Sequence, residues 1–169
     1  MLLHAGLPLA IAGTAVMMDL RTARVDNGWI LFSMILTLSG QILQNGGEGI
    51  FIWLFGTLLP LVILGILFFF RMLGPGDIKL LCALGGALGP EDIGTCILCS
   101  LLLGGVLSLA IVISCGDIRQ RLMYLAGYFR SLFLTGKVRP YYRTGMVLEN
   151  FHFTIPVFMS VMLYVGGVY

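Results

Sequence analysis

Six apolar stretches, each close to the length of a transmembrane helix, constrain this chain more than any other feature. A membrane-spanning helix needs about 20 mostly apolar residues. The stretches cover residues 2–18, 29–44, 50–70, 74–90, 94–115 and 153–169. Hydrophobic residues make up 59% of the chain and charged residues only 11%, whereas a soluble domain is about 25% charged. The sequence therefore predicts one all-α polytopic membrane domain over residues 1–169, with six transmembrane helices.

The basic residues orient the predicted helices. If the N-terminus is outside, all 10 Lys and Arg fall on the inner side of the membrane. They are Arg21, Arg24, Arg71, Lys79, Arg119, Arg121, Arg130, Lys137, Arg139 and Arg143. The outer connections, 44–49 and 89–94, contain Glu48, Glu91 and Asp92 and no basic residue. Because cytoplasmic loops are enriched in Lys and Arg, both termini are predicted to lie outside.

The first apolar stretch is expected to remain in the protein as a helix. A secretion signal has basic residues before its apolar core. Here no Lys or Arg precedes the core, and Arg21 and Arg24 follow it.

The long connection between the fifth and sixth helices contains a predicted surface helix over residues 117–135. Asp117 can cap its start and Gly136 can end it. Apolar residues recur at helical spacing between them, at Ile118, Leu122, Leu125, Phe129 and Leu132. This pattern is typical of an amphipathic helix that lies on the inner membrane surface. Anchoring is its simplest role, and contact with a substrate is the alternative.

Two aspartates need a functional explanation, because an ionisable group at a membrane boundary costs free energy unless it meets water or a partner. Asp19 ends the first predicted helix and Asp77 opens the fourth, so both are expected at the inner leaflet. The intervening hairpin returns the chain to that side, which allows the two side chains to meet. Two adjacent carboxyl groups in a low-dielectric cleft share one proton. The ionised group can then activate water while the protonated group polarises a peptide carbonyl.

The other residues do not form an alternative hydrolytic centre. His4 and His152 lie near opposite membrane faces, no HExxH motif is present, and no serine has a His/Asp constellation around it. Cys96 and Cys99 form a CxxC inside an apolar stretch, where packing is the favoured role. No cofactor and no metal are expected, and the net charge of +2 is too small to indicate nucleic-acid binding.

The residues around Asp77 suit the approach of a substrate. Gly76 has no Cβ, so an extended peptide can come close to its backbone, and Pro75 interrupts regular helix just before the aspartate. Gly74, Gly76 and Lys79 are therefore assigned to the active-site loop, although Lys79 is expected to extend to the interface rather than enter the chemistry. The alternative is that Gly-Pro-Gly is only an inner turn and Asp77 only a helix cap.

Residues 74–80 read Gly-Pro-Gly-Asp-Ile-Lys-Leu, and this segment matches the GxGDxKL signature of the type IV prepilin peptidases. The chain resembles that family, the bacterial GxGD-type aspartic peptidases, over nearly its whole length. The segment around Asp19 is similar to the family's first-aspartate segment, and Ile155-Pro156 resembles its C-terminal helix. Asp26 stands where the family usually has proline, in a position that suits a turn. No cysteine-rich insert follows the first helix, so neither zinc nor N-methyltransferase activity is expected. The compact size resembles the peptidases of tight-adherence (Flp-type) pili.

The resemblance implies a leader peptidase of the bacterial inner membrane, with Asp19 and Asp77 as its catalytic pair. Its partners would be the lipid bilayer and a prepilin or pseudopilin substrate, cut after a glycine or similar small residue at the inner leaflet. Two other functions stay open. One is a transporter or channel component whose paired aspartates carry protons or cations, and the other is an inactive pilus-assembly scaffold. The presenilin branch is disfavoured, because its Tyr-Asp and Pro-Ala-Leu motifs are missing.

Overall fold

The computed structural model describes residues 2–70, 73–114, 123 and 152–169. Over these ranges the chain forms helices joined by short connections, which confirms the all-α prediction for the described part. The helices are α1 (Leu2–Thr22), α2 (Asn27–Asn45), α3 (Glu48–Phe69), α4 (Pro75–Ser114) and α5 (Thr154–Val165). The predicted surface helix at residues 117–135 lies outside the described residues, apart from Met123.

Two of these helices are long and apolar enough to cross a membrane. They are α3, with a mean hydropathy of 2.6, and the part of α4 from Pro75 to Ile111, with a mean hydropathy of 2.2. Only 17% and 28% of the residues in these apolar segments are buried inside the protein. A core helix of a soluble protein buries most of its apolar surface, so this exposure indicates a membrane protein. The six-span topology and the orientation of the termini stay predictions.

A break at Gly89 divides α4 into two helical halves. Gly89 has φ 83° and ψ 173°, a conformation that favours glycine, and Pro90 follows it. A Cβ built on Gly85 would lie 3.3 Å from Cγ1 of Ile93, although eight residues of straight helix rise about 12 Å. The chain must therefore bend sharply enough at Gly89 to bring its two halves into contact. This bend replaces the longer outer connection that was predicted at residues 89–94.

A glutamine of α2 satisfies backbone groups that this break exposes. Pro90 has no N–H, so the carbonyl of Gly86 lacks its usual helical partner. Nε2 of Gln41 donates to the carbonyl oxygens of Gly86 and Ala87, at 3.3 and 3.2 Å. Nδ2 of Asn45 in turn donates to Oε1 of Gln41 at 2.9 Å. Because an unpaired carbonyl in an apolar interior is costly, this buried side chain stabilises the bend.

Helix α3 packs against α4 through two glycines. A Cβ on Gly56 would collide with the carbonyl oxygen of Gly85, and a Cβ on Gly85 would collide with the carbonyl oxygen of Gly56. The two backbones therefore touch. Close contact through small residues is the usual way in which helices associate in lipid, and the glycines of the apolar stretches predict it.

Helix α5 lies against both α1 and α4 and completes the core. Val157 and Val161 of α5 are fully buried beside Ile11 of α1 and Leu81 of α4. The hydroxyl of Ser160 donates to the carbonyl oxygen of Cys96 at 2.9 Å. This packing brings the end of α1 and the starts of α4 and α5 to the same end of the molecule.

Candidate active site

Asp19 lies in the last turn of α1 and is held by the start of α5. Its side chain is only 13% exposed. The hydroxyl of Thr154 donates to Oδ2 of Asp19 at 2.7 Å, and Nδ1 of His152 lies 3.0 Å from the same oxygen. Hydrogen bonds to an ionised carboxylate are stronger than those between neutral groups, so the two contacts fix the orientation of this side chain.

Asp77 lies in the first turn of α4. Pro75 begins the helix, and its fixed φ and missing N–H suit that position. The partial positive charge at a helix N-terminus stabilises a carboxylate there. A Cβ on Gly74 would lie 3.1 Å from Oδ2 of Asp77, so the carboxylate reaches back over Gly74. This conformation resembles that of a helix cap and also directs the carboxylate toward the pocket described next.

Asp19 and Asp77 line the same pocket, which has a volume of about 490 Å³. The connection between α1 and α2 contributes Ala23, Arg24, Val25 and Asn27, and the segment before α5 contributes His152 and Phe153. The fold thus brings together two aspartates that are 58 positions apart in the sequence. A pocket of this size holds a short stretch of extended peptide, since ligand pockets typically measure about 300–1,000 Å³.

The residues assigned to the active-site loop also line this pocket. Gly74, Gly76 and Lys79 all contribute to its wall. A Cβ on Gly76 would meet no atom within 4 Å, so the missing side chain leaves open space at this point of the wall. Nζ of Lys79 donates to Oδ1 of Asn27 at 2.9 Å. Lys79 is exposed and connects α4 to the start of α2, and its extension to the membrane interface stays a prediction.

Asp26 is not among the residues that line the pocket. It is exposed and precedes the first residue of α2, with φ −66° and ψ 134° and no side-chain capping hydrogen bond. Its conformation agrees with the predicted role at a turn or helix start. Asp26 is thus an exposed carboxylate close in sequence to the pocket-lining residues Val25 and Asn27.

His152 and Thr154 were not recognised as site residues in the sequence. They are more than 130 positions away from Asp19, and no local motif connects them to it. The predicted topology contains the one signal that could have identified them. It puts the start of the sixth helix, and hence His152 and Thr154, at the same leaflet as Asp19 at the end of the first helix. Within the described ranges, no three His, Cys, Asp or Glu side chains gather in a way that could hold a metal ion.

Comparison with known proteins gives one match. The model of the type IV leader peptidase family matches residues 7–113, which is more than half of the 169 residues and includes both aspartates. No curated protein and no solved structure matches the chain.

Proposed function

We propose that this chain, which belongs to the type IV leader peptidase family, is a membrane aspartic endopeptidase that removes short basic leaders from prepilin-like proteins. Family membership and the exposed apolar helices support a membrane peptidase. The specific substrate, a prepilin or pseudopilin, and cleavage at the cytoplasmic face of a bacterial inner membrane are part of the proposal.

One observation carries the proposal: α1 and α4 supply one carboxylate each to a single pocket. A lone aspartate at the start of a helix is explained by capping, whereas a second aspartate on the same pocket wall is not. Two such groups provide the acid and the base that hydrolysis of a peptide requires without a metal or a covalent nucleophile.

The reaction proceeds in two steps. The ionised aspartate removes a proton from water as the water oxygen bonds to the carbonyl carbon, and the protonated aspartate gives its proton to the carbonyl oxygen. The carbon–nitrogen bond then breaks. The proton taken from water passes to the leaving nitrogen, and a hydroxyl of the intermediate returns a proton to the other aspartate. The pair is thereby restored to its initial state.

The wall of the pocket suits a cleavage point flanked by small residues. Gly76 leaves open space beside the carboxylates, and Gly74 allows the side chain of Asp77 to reach back over it. An extended peptide can approach glycine backbone more closely than it can approach any residue with a Cβ. We therefore expect cleavage after glycine or another small residue.

The test is cleavage of candidate precursors by the wild-type protein and by three Asp→Asn variants. Asp19→Asn and Asp77→Asn should abolish processing, and Asp26→Asn should retain it, because Asp26 is exposed and does not line the pocket. Each variant is co-expressed with a precursor, the gel shift is recorded, and the new N-terminus is sequenced. Processing that persists in Asp19→Asn or Asp77→Asn would refute the assignment.

The same variants separate the peptidase from the two other functions. An inactive scaffold requires that both pocket variants still support pilus assembly. A transporter or channel component requires that wild-type protein cleaves no precursor while the pocket variants alter proton or cation flux in vesicles. A peptidase gives precursor cleavage that depends on both aspartates.

A further inference from the structure

We infer that His152 and Thr154 are positioning residues that hold Asp19 by one carboxylate oxygen, so that Asp19, through its other oxygen, takes the proton from water. This inference rests on the proposed peptidase function. It assigns the two aspartates different roles, with Asp19 as the base and Asp77 as the acid.

Both hydrogen bonds from the described residues to Asp19 end on Oδ2. The hydroxyl of Thr154 donates to that oxygen. When Asp19 is ionised, as its role as the base requires, Nδ1 of His152 carries the proton of the second hydrogen bond, because an ionised carboxylate can only accept. A proton on Oδ2 would require His152 to lose the proton on Nδ1, whereas a proton on Oδ1 would leave both hydrogen bonds unchanged. Oδ1 is therefore the oxygen of Asp19 that is available to accept a proton.

The two donors belong to a rigid part of the fold. Thr154 is 1% exposed and begins α5, whose buried residues pack into the core. The carbonyl oxygen of His152 accepts a hydrogen bond from the backbone N–H of Ile155 at 3.2 Å, so the histidine is attached to the first turn of that helix. Because packing of α5 fixes both donors, the orientation of Asp19 is set before any substrate binds.

Asp77 is placed differently. Its carboxylate lies over Gly74 in the first turn of α4, and no hydrogen bond from His152 or Thr154 reaches it. The charged groups that share the pocket with His152 are Asp19, Arg24, Asp77 and Lys79. Among them, Asp19 is the one that His152 contacts at hydrogen-bonding distance. The donors are thus directed to one member of the pair, and this asymmetry indicates the division of roles.

The experiment compares two pairs of variants in the full chain. Thr154→Val keeps the shape of the side chain and removes the donor, whereas Thr154→Ser keeps the hydroxyl. His152→Leu removes the ring nitrogen, whereas His152→Asn keeps an N–H donor at the position of Nδ1. Steady-state cleavage of a precursor at several concentrations gives kcat and KM separately, and thermal unfolding in the same detergent reports on folding.

We expect Thr154→Val and His152→Leu each to lower kcat by about 10- to 100-fold, the effect of losing one hydrogen bond to a charged group, with little change in KM. Thr154→Ser and His152→Asn should recover most of the rate. A purely structural role would instead lower the unfolding temperature without a rescue of kcat by the conservative variants. Full kcat in Thr154→Val and His152→Leu would also overturn the inference.

The wild-type protein and Asp19→Asn together separate failure of this inference from failure of the proposed function. If the wild-type protein cleaves no precursor, the proposed function is wrong, and if Asp19→Asn cleaves like the wild type, the catalytic role of Asp19 is wrong. If Asp19→Asn is inactive while Thr154→Val and His152→Leu cleave at the wild-type rate, only the positioning role is wrong. If His152→Leu does not fold, the comparison of Thr154→Val with Thr154→Ser still tests the positioning role, because valine and serine are both close to threonine in size.

Discussion

The contact between α3 and α4 predicts that Gly56→Ala will destabilise the protein and that Gly65→Ala on the same helix will not. A Cβ at position 56 would collide with the carbonyl oxygen of Gly85 and lie 3.2 Å from the carbonyl carbon of Gly89. Backbone atoms cannot rotate away, so the two helices would have to separate. At Gly65, a Cβ would meet no atom within 4 Å.

The magnitude follows from comparing the two variants. Alanine favours helix over glycine by about 1 kcal/mol, and this gain is common to both positions. Forcing extra volume into a packed interface costs about 1–3 kcal/mol. The difference between the two variants therefore isolates the collision, and Gly56→Ala should be less stable than Gly65→Ala by about 1–3 kcal/mol.

The assay is reversible unfolding in mixed micelles as the fraction of a denaturing detergent is raised, followed by far-ultraviolet circular dichroism. Both variants and the wild type are measured at one lipid composition, because the midpoint depends on the micelle. Equal stability of Gly56→Ala and Gly65→Ala would refute the inferred backbone contact between α3 and α4. A loss of stability confined to Gly65→Ala would refute it as well.

Three further predictions concern the bend and the pocket. Gln41→Leu should lower the free energy of unfolding by about 1–3 kcal/mol, because the carbonyls of Gly86 and Ala87 lose their hydrogen-bond donor. The same detergent titration measures this, and an unchanged midpoint would show that Gln41 does not stabilise the bend. Gly76→Ala should raise KM for a precursor more than it lowers kcat, because the added Cβ contacts no protein atom and instead occupies pocket space that the substrate would use. Cleavage rates at several precursor concentrations test this, and an unchanged KM would contradict it. Gly74→Ala should mainly lower kcat, because its Cβ would press on Oδ2 of Asp77 at 3.1 Å; the same kinetics check it, and a change confined to KM would count against it.

The helices of the described part of the chain could be predicted closely from hydropathy. The stretches 29–44 and 50–70 correspond to α2 and α3 within a few residues. The break in α4 was harder, because charged residues and glycines at 89–94 are typical of a loop. In the structure a single glycine in a conformation unusual for other residues makes the bend, and helix resumes at once at Pro90. Hydropathy averages over many residues and cannot resolve an interruption of one.

The two aspartates could be predicted as a pair because the predicted topology puts both at the inner leaflet and because residues 74–80 match the GxGDxKL signature. Two helix ends predicted at the same leaflet are able to meet, and the packing of the helices brings both aspartates to one pocket. The contacts of Lys79 and His152 could not be predicted in this way. Lys79 bonds to Asn27 across the pocket, and His152 bonds to Asp19 from a segment that follows almost the entire chain. Such contacts depend on the rotation and depth of each helix, which periodicity does not specify.

Local composition by itself determined that the described part of the chain is helical and apolar on its outside, with Asp19 and Asp77 at helix ends. These properties depend on residue type and order along the chain. Tertiary packing decided which oxygen of Asp19 is occupied and where the glycine contacts bring backbone against backbone. Hydrogen bonds and steric contacts act over a few ångströms, so they are settled only when α1, α4 and α5 come together.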